Sequence, residues 1–271
     1  MTTYSLRGGG IDIDVDLADG GRVTGLVALG REWLVACGPR TPGDYVQQGS
    51  GGWDEIAPTV SACVLADGTR LADHGDVWQT PWTLDSADEL HVQASVRLSS
   101  VPITLSRRIE ASDVGIRLSW WATTDCESPV AFFWCAHPLF AAGPGTRIRV
   151  AGDPPLVEEY PGPRIERGWP GEVGNSAIKA FTAESVSRAS VVHGNGDTLT
   201  LDWDSALLPY LGLYWDGGEF TQTPVVAIEP ATGYGDSASR AEADGRVLTV
   251  RAGAPHRWWM DLTVTRGGRT S

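Results

Sequence analysis

The sequence predicts an all-β protein made of antiparallel sheets. Apolar and polar residues alternate with period two along residues 11–17 and 92–98, which is the pattern of strands with one buried face. Turn pairs such as Asn195-Gly196 and Asp244-Gly245 punctuate the chain and tolerate the positive φ of tight hairpins. No long stretch has the period of an amphipathic helix. Many short strands joined by tight turns are typical of a sandwich or a barrel.

The other elements are predicted from the same two signals. Runs of apolar or alternating residues bounded by turns predict strands at residues 23–29, 103–109, 114–122, 130–135, 198–203, 210–215, 225–228, 247–251 and 258–265. One short helix is predicted at residues 237–243. Residues 37–58 and 153–174 are rich in glycine and proline and interrupt the strand rhythm. Long aperiodic loops of this kind either build a site or are disordered.

Length and composition favour a single domain over residues 1–271. All-β sandwiches of about 200–250 residues often form one unit, and no repeat or linker divides this chain of 271 residues. The net charge of −13 repels nucleic acid and anionic lipid, so neither is expected as a partner. No apolar run could cross a membrane, and residues 1–10 lack the apolar core of a signal peptide. We therefore expect a cytoplasmic protein, either a monomer or a homodimer.

The cysteines, the lysine and the tryptophans indicate which kinds of site the chain can form. The four cysteines are scattered and form no Cys-x-x-Cys pair, so we expect free thiols rather than disulfides or zinc ligands. Lys179 is the only lysine and hence the one candidate for Schiff-base chemistry, but it lies in no recognisable motif. Tryptophan side chains fill sandwich cores and also stack on sugar rings. For most of the 12 tryptophans, core packing is expected.

Three titratable residues lie where an apolar strand ends or a turn begins. His74 stands between two aspartates and precedes Gly75, which lets the backbone approach a ligand closely. His137 follows the most apolar run of the chain, and Glu229 ends another such run. These positions suit an acid and a base, although His137 fits a hydrogen-bonded core histidine equally well. Structural roles are expected for the remaining histidines, which are His91, His193 and His256.

Other chemistries are alternatives on the same residues. Two histidines and a carboxylate could form a facial triad for iron, but His74 and His137 lack the usual close spacing. A serine hydrolase is disfavoured because the sequence has no Gly-x-Ser-x-Gly elbow. A glycosidase needs two carboxylates that flank one bond. Glu229 could supply one, and Glu55 or Asp216 the other.

Five patches, in order along the chain, resemble the aldose 1-epimerase (galactose mutarotase) family. Three of them are His74-Gly75-Asp76 with Trp78 and Trp82 after it, His137-Pro138-Leu139-Phe140, and Ile228-Glu229-Pro230. Residues 51–58 look like the loop that enters the sugar site of this group, and residues 208–215 look like the strand leading to its distal wall. The resemblance implies an antiparallel β-supersandwich of the galactose mutarotase-like type.

The resemblance also implies a mutarotase that interconverts the α and β anomers of a reducing sugar, without cofactor or metal. Glu229 matches the family's base, His137 its acid, and His74 the second histidine on the ring-oxygen side. Sugar contacts are expected at Trp53, Glu55, Asp76, Trp215 and Asp216. Three residues compete for the family's aspartate that grips sugar hydroxyls, namely Asp202, Asp204 and Asp216. Arg40 and Arg70 are loose candidates for the arginine that many members carry. The alternative functions are a non-catalytic carbohydrate-binding β-sandwich and a divergent member with other sugar chemistry.

Overall fold

The computed structural model describes residues 3–38, 40, 45, 51–160, 166–167 and 176–268. Its first strands are β1 (Thr3–Gly8), β2 (Ile11–Asp16), β3 (Arg22–Ala28), β4 (Arg31–Glu32), β5 (Trp53–Ile56), β6 (Cys63–Val64), β7 (Arg70–Leu71), β8 (Thr83–Ala87), β9 (His91–Arg97), β10 (Thr104–Ser112), β11 (Gly115–Thr123) and β12 (Val130–Phe132). The chain continues with β13 (Cys135–Pro138), β14 (Phe140–Ala141), β15 (Arg147–Val150), β16 (Leu156–Tyr160), β17 (Glu166–Arg167), β18 (Ala177–Thr182), β19 (Arg188–Val192), β20 (Thr198–Trp203), β21 (Tyr210–Asp216), β22 (Val225–Ala231), α1 (Ala238–Ala243), β23 (Leu248–Val250) and β24 (His256–Thr265).

Most of these strands form two large antiparallel sheets. The first has the order β1-β2-β3-β5-β13-β22-β21-β18-β16-β17, with β4 beside β3 and β14 beside β22. The second has the order β15-β19-β20-β24-β11-β10-β9-β8. Two small sheets pair β6 with β7 and β12 with β23. The all-β antiparallel fold predicted from the sequence is confirmed. Within the described ranges, the chain forms no helix long and apolar enough to span a membrane.

Both large sheets contribute to one hydrophobic core. On β2 the side chains from Ile11 to Val15 alternate between buried and solvent-facing positions, as the period-two pattern predicts. Trp134 packs against Trp120 and Trp258 of the second sheet. Nine of the eleven tryptophans in the described ranges are buried, so core packing accounts for most of them.

Each strand predicted from the sequence is present, and the predicted helix corresponds to α1. The predicted strand at residues 130–135 divides into β12 and β13, because the chain changes its pairing partner from β23 to β5 and β22. The N–H of Trp134 donates to the Thr232 hydroxyl at this change. The four cysteines are free thiols, as predicted.

The two predicted loops are partly wrong. Strand β5 lies inside residues 37–58, and strands β16 and β17 lie inside residues 153–174. All four residues of β5 are buried, including Asp54 and Glu55. This strand therefore lacks the polar and apolar alternation by which half-buried strands are recognised.

A buried ion pair links the two large sheets. Glu55 on β5 and Arg107 on β10 lie 2.7 Å apart, and both side chains are at most 2% exposed. The indole N–H of Trp134 donates to the other Glu55 oxygen at 2.7 Å. Burial raises the pKa of Glu55, while Arg107 acts in the opposite direction. Each partner thus needs the other, since an unpaired buried charge is strongly destabilising.

Arg107→Met should lower the free energy of unfolding by about 3–5 kcal/mol, because it leaves the Glu55 carboxylate buried without its cation. Urea unfolding followed by tryptophan fluorescence measures the change. The matched control is Arg108→Met on the same strand, whose partner Glu110 is half exposed; there the expected loss is below about 1 kcal/mol. Equal losses in the two variants would contradict the role given to the buried pair.

Candidate active site

A cavity of about 420 Å³ opens beside β13, β18 and β22, within the size range of small-molecule sites. Three of its lining residues are His74, His137 and Glu229, which the sequence predicts as acid-base residues. The structure therefore brings these three together. The full lining consists of Tyr45, Val60, Ser61, Asp73, His74, His137, Leu139, Tyr160, Lys179, Tyr214, Phe220, Thr221, Glu229 and Asp236.

His137 is oriented by a buried chain of hydrogen bonds. The register of β13 and β5 places it opposite Asp54, and Tyr45 connects the two side chains. The Tyr45 hydroxyl donates to Asp54 Oδ2 at 3.1 Å and lies 3.0 Å from His137 Nδ1. Asp54 is also paired with Arg40 at 2.5 Å. When Tyr45 donates to Asp54, its oxygen accepts the Nδ1 proton of His137, which leaves Nε2 for the cavity.

The environment of His137 disfavours the charged imidazole. Burial lowers its pKa well below the ordinary value of 6.5, and the neighbouring His74 and Lys179 act in the same direction. Asp54 opposes them. The Nε2 atom of His137 lies 3.9 Å from Glu229 Oε1. A weakly basic imidazole and a carboxylate thus face each other at the cavity wall.

His74 lies on a strained turn. Its backbone φ is +57°, an angle that residues other than glycine rarely adopt. A hydrogen bond to another segment stabilises this conformation, since the His74 N–H donates to the Val60 carbonyl at 2.6 Å. A Cβ at Gly75 would lie 2.0 Å from the Ala57 carbonyl oxygen, so the following residue must be glycine. This tight packing fixes the backbone of the turn that carries His74.

The His74 ring is held on two sides. Its Nδ1 lies 2.7 Å from Asp73 Oδ2. The ring stacks on Tyr45 at a centroid distance of 3.8 Å and meets His137 edge-on at 5.6 Å. Tyr45 therefore contacts both histidines. The sequence gives no signal for this tyrosine beyond its position in the glycine-rich segment 37–58.

Glu229 presents one free oxygen to the cavity. It lies on β22, whose seven residues are all buried, and its side chain is 1% exposed. Oε2 contacts the Lys179 ammonium and the Cys135 thiol at 3.7 Å. Among the described residues, Oε1 has no hydrogen-bond partner. Because a buried oxygen without a partner is costly, Oε1 is the natural acceptor for a ligand hydroxyl.

Lys179 is the residue to which the sequence alone assigns no role. It lies on β18, pairs with Glu229, and stands 3.5 Å from Asp236 Oδ1. Burial alone would lower the pKa of Lys179, but the Asp236 and Glu229 carboxylates raise it above its ordinary value. The amine is therefore a stable cation. This disfavours Schiff-base chemistry, which needs the neutral amine.

Three of the predicted sugar contacts, Trp53, Glu55 and Trp215, lie away from the cavity. None of them lines the cavity. Trp53 and Trp215 are packed in the core at 0% and 5% exposure, and Glu55 points between the sheets toward Arg107. In the described part of the wall, the aromatic side chains are instead Tyr45, Tyr160, Tyr214 and Phe220.

The predicted contacts at Asp76 and Asp216 are also absent from the wall. Asp76 accepts hydrogen bonds from the N–H groups of Ser99 and Ser100 and so anchors a turn. Asp216 accepts from the N–H groups of residues 218–221. It thereby supports the segment that carries Phe220 and Thr221 into the wall.

The other candidates for the sugar-gripping aspartate and for the arginine occupy different parts of the structure. Asp202 pairs with Arg188 on the second sheet, and Asp204 accepts from the N–H of Ala206. Arg40 reaches the site through Asp54, whereas Arg70 lies on β7 of a small separate sheet. Of these four residues, Arg40 alone is connected to the histidines.

The fold and the cavity together define a large antiparallel β-sandwich with a cavity that His74, His137 and Glu229 line. No protein-family model matches the sequence, and no curated protein does. Solved structures match along nearly the whole chain. A protein of Synechocystis sp. PCC 6803 has a TM-score of 0.78 at 16% identity, covering 97% of this chain and 96% of its own.

Two further structures carry names that describe an activity or a likeness. A candidate aldose 1-epimerase of Escherichia coli K12 has a TM-score of 0.76 at 17% identity, covering 98% of this chain and 99% of its own. A galactose mutarotase-like protein of Lactobacillus casei has a TM-score of 0.74 at 17% identity, with coverages of 97% and 100%. The chain therefore has the fold of the galactose mutarotase-like proteins, as the sequence resemblance implied.

The lowered pKa of His137 predicts a specific loss of stability in acid. Below pH 6.5 the unfolded chain takes up a proton on this residue and the folded chain does not, so stability falls as the pH drops toward the lower folded pKa. The loss amounts to at most about 1.4 kcal/mol per pH unit. His137→Gln lacks this contribution and should lose less stability than the unmodified protein in urea unfolding between about pH 7.5 and 5.5. Parallel losses in both proteins would contradict the assignment.

Proposed function

We propose that this protein is an aldose 1-epimerase that interconverts the anomers of a reducing sugar by acid-base catalysis. The proposal depends on one observation: Glu229 Oε1 and His137 Nε2 lie 3.9 Å apart in the wall of the cavity. Among the described residues, Oε1 has no hydrogen-bond partner. His74 adds a third group on a strained turn beside them. The fold shared with galactose mutarotase-like proteins supports the same conclusion.

The proposed reaction opens and recloses the sugar ring. Glu229 Oε1 takes the proton of the C1 hydroxyl while protonated His137 gives its Nε2 proton to the ring oxygen, and the C1–O bond of the ring breaks. Rotation about the C1–C2 bond, followed by the reverse proton transfers, closes the ring on the other face. Burial makes the protonated imidazole of His137 the minor form but also the stronger acid. The Tyr45–Asp54 chain holds Nδ1 in both forms, because Tyr45 accepts from Nδ1 while donating to Asp54. His74 is assigned to the ring-oxygen side.

The charges of the wall favour a neutral sugar as substrate. The described lining residues include the carboxylates of Asp73, Glu229 and Asp236. Lys179 is the one lysine or arginine among them, and it is already paired with two of these carboxylates. A phosphate or carboxylate on the substrate would meet repulsion here. Hydroxyl groups would instead find acceptors, and the aromatic side chains can pack on the C–H faces of the ring.

One observation favours a second candidate, a non-catalytic carbohydrate-binding protein. Lys179 occupies one oxygen of the proposed base, and an ion-paired carboxylate is a weaker proton acceptor than a free one. Such a site would bind hydroxyl groups without opening the ring. The two candidates differ in one measurable property, which is acceleration of anomer exchange.

Glu229→Gln should reduce the catalysed anomer exchange by about 10²–10⁴-fold, because the amide cannot take the C1 proton. NMR exchange spectroscopy on a panel of aldoses measures the rate, and Glu110→Gln on the surface of β10 is the control. Unchanged exchange in Glu229→Gln would remove this residue as the base. If the unmodified protein binds a sugar, as seen by tryptophan fluorescence, but does not accelerate exchange, the non-catalytic candidate is correct.

The charge argument predicts selectivity among substrates. The value of kcat/KM for a neutral aldose should exceed that for its 6-phosphate or its uronic acid by at least about tenfold, since the wall carries more carboxylates than cations. Polarimetry with matched pairs of sugars at one ionic strength tests this. A preference for the charged sugar would refute the assignment of a neutral substrate.

A further inference from the structure

The lysine and the glutamate meet across an intervening strand. Lys179 lies on β18 and Glu229 on β22, and β21 runs between them. The register pairs Glu229 with Gly212 of β21. A Cβ at Gly212 would lie 3.2 Å from Glu229 Oε2 and 3.4 Å from Lys179 Cε. The missing side chain thus provides the space in which the two charged groups meet.

The ammonium contacts the two oxygens of Glu229 unequally. It binds Oε2, whereas Oε1 finds no hydrogen-bond partner in the described part of the chain and faces His137. A carboxylate rotating freely would offer either oxygen to a ligand. With Oε2 bound, the plane of the carboxylate is fixed and one defined oxygen points into the cavity.

Asp236 connects the ammonium to the turn that carries His74. Its carboxylate lies 3.5 Å from Lys179, and its backbone carbonyl accepts from the N–H groups of Val60 at 3.0 Å and Ser61 at 2.7 Å. The Val60 carbonyl in turn accepts from the His74 N–H. The cation therefore lies between the proposed base and the segment that holds the second histidine.

We propose that Lys179 is a positioning residue of the acid-base site, which binds Oε2 of Glu229 and so directs Oε1 to the substrate in its ionised form. The proposal rests on the proposed function for its kinetic consequence. Its geometric part stands on the contacts alone. The titratable groups that face Glu229 are Lys179 from β18, Cys135 and His137 from β13, Tyr214 from β21, and Asp236 from the segment after β22.

Two variants should shift the pH profile in opposite directions. Lys179→Met removes a cation beside Glu229, so the acidic limb of kcat/KM should move up by about one pH unit or more. Asp236→Asn removes an anion from the same cluster and keeps the Lys179–Glu229 pair, so the limb should move down. If both variants merely lower the rate at every pH and leave the limb in place, the role of Lys179 is structural and the proposal is refuted.

A second measurement does not depend on catalysis. The carboxyl ¹³C resonance of Glu229, identified by its loss in Glu229→Gln, should titrate at higher pH in Lys179→Met than in the unmodified protein. An unchanged titration would refute the proposal even if no sugar is turned over. Failure of the proposed function appears separately, as absence of anomer exchange in the unmodified protein.

The ion pair between Lys179 and Glu229 can be observed directly by NMR. Because Lys179 is the only lysine in the chain, ¹⁵N-labelled lysine yields one side-chain ammonium signal. This signal should be protected from exchange with water and should change in Glu229→Gln. Asp236→Asn keeps the measurement possible if Lys179→Met does not fold. A rapidly exchanging signal that is the same in both proteins would show that the ion pair does not form.

Discussion

The desolvation of Glu229 is the constraint on which the arrangement of the site depends. A carboxylate withdrawn from water must be paired or hydrogen-bonded, and β22 leaves none of its residues exposed. Lys179 reaches it from two strands away because Gly212 leaves the space between them open. Asp236 then balances the charge of the ammonium and, through its backbone carbonyl, holds the segment next to His74. One electrostatic requirement thus organises parts of the chain far apart in sequence.

The residues of the site come both from strands and from irregular segments between strands. Glu229, His137 and Lys179 project from strands inside the first sheet, so backbone hydrogen bonds on both sides fix their positions. His74 and Tyr45 come from segments between strands, and they stack on each other. The strained backbone of His74 is tolerated because its turn is packed against the Ala57 carbonyl and bound by Val60. Such strain is typical of functional positions.

Much of the fold could be predicted from the sequence, because half-buried strands carry a period-two pattern and tight turns carry glycine. Strand β5 could not be predicted in this way, because its two carboxylates are buried with distant partners. His74, His137 and Glu229 were identifiable from their places beside apolar runs and from the family resemblance. Lys179 was not, since its partner lies 50 residues away. Alternation tells which residues are buried but not which buried face borders a cavity, and for that reason it could not show that Trp53 and Trp215 lie outside the cavity lining.

The pairing of the only lysine with two carboxylates has a chemical consequence for the ring opening proposed here. The open-chain sugar is an aldehyde, and aldehydes condense with neutral amines, which is the first step of glycation. An ammonium has no lone pair with which to attack, and the carboxylates of Glu229 and Asp236 keep Lys179 in that form. In the proposed reaction, the one lysine of the chain would stand as a cation beside the open-chain aldehyde and so be protected from slow covalent inactivation.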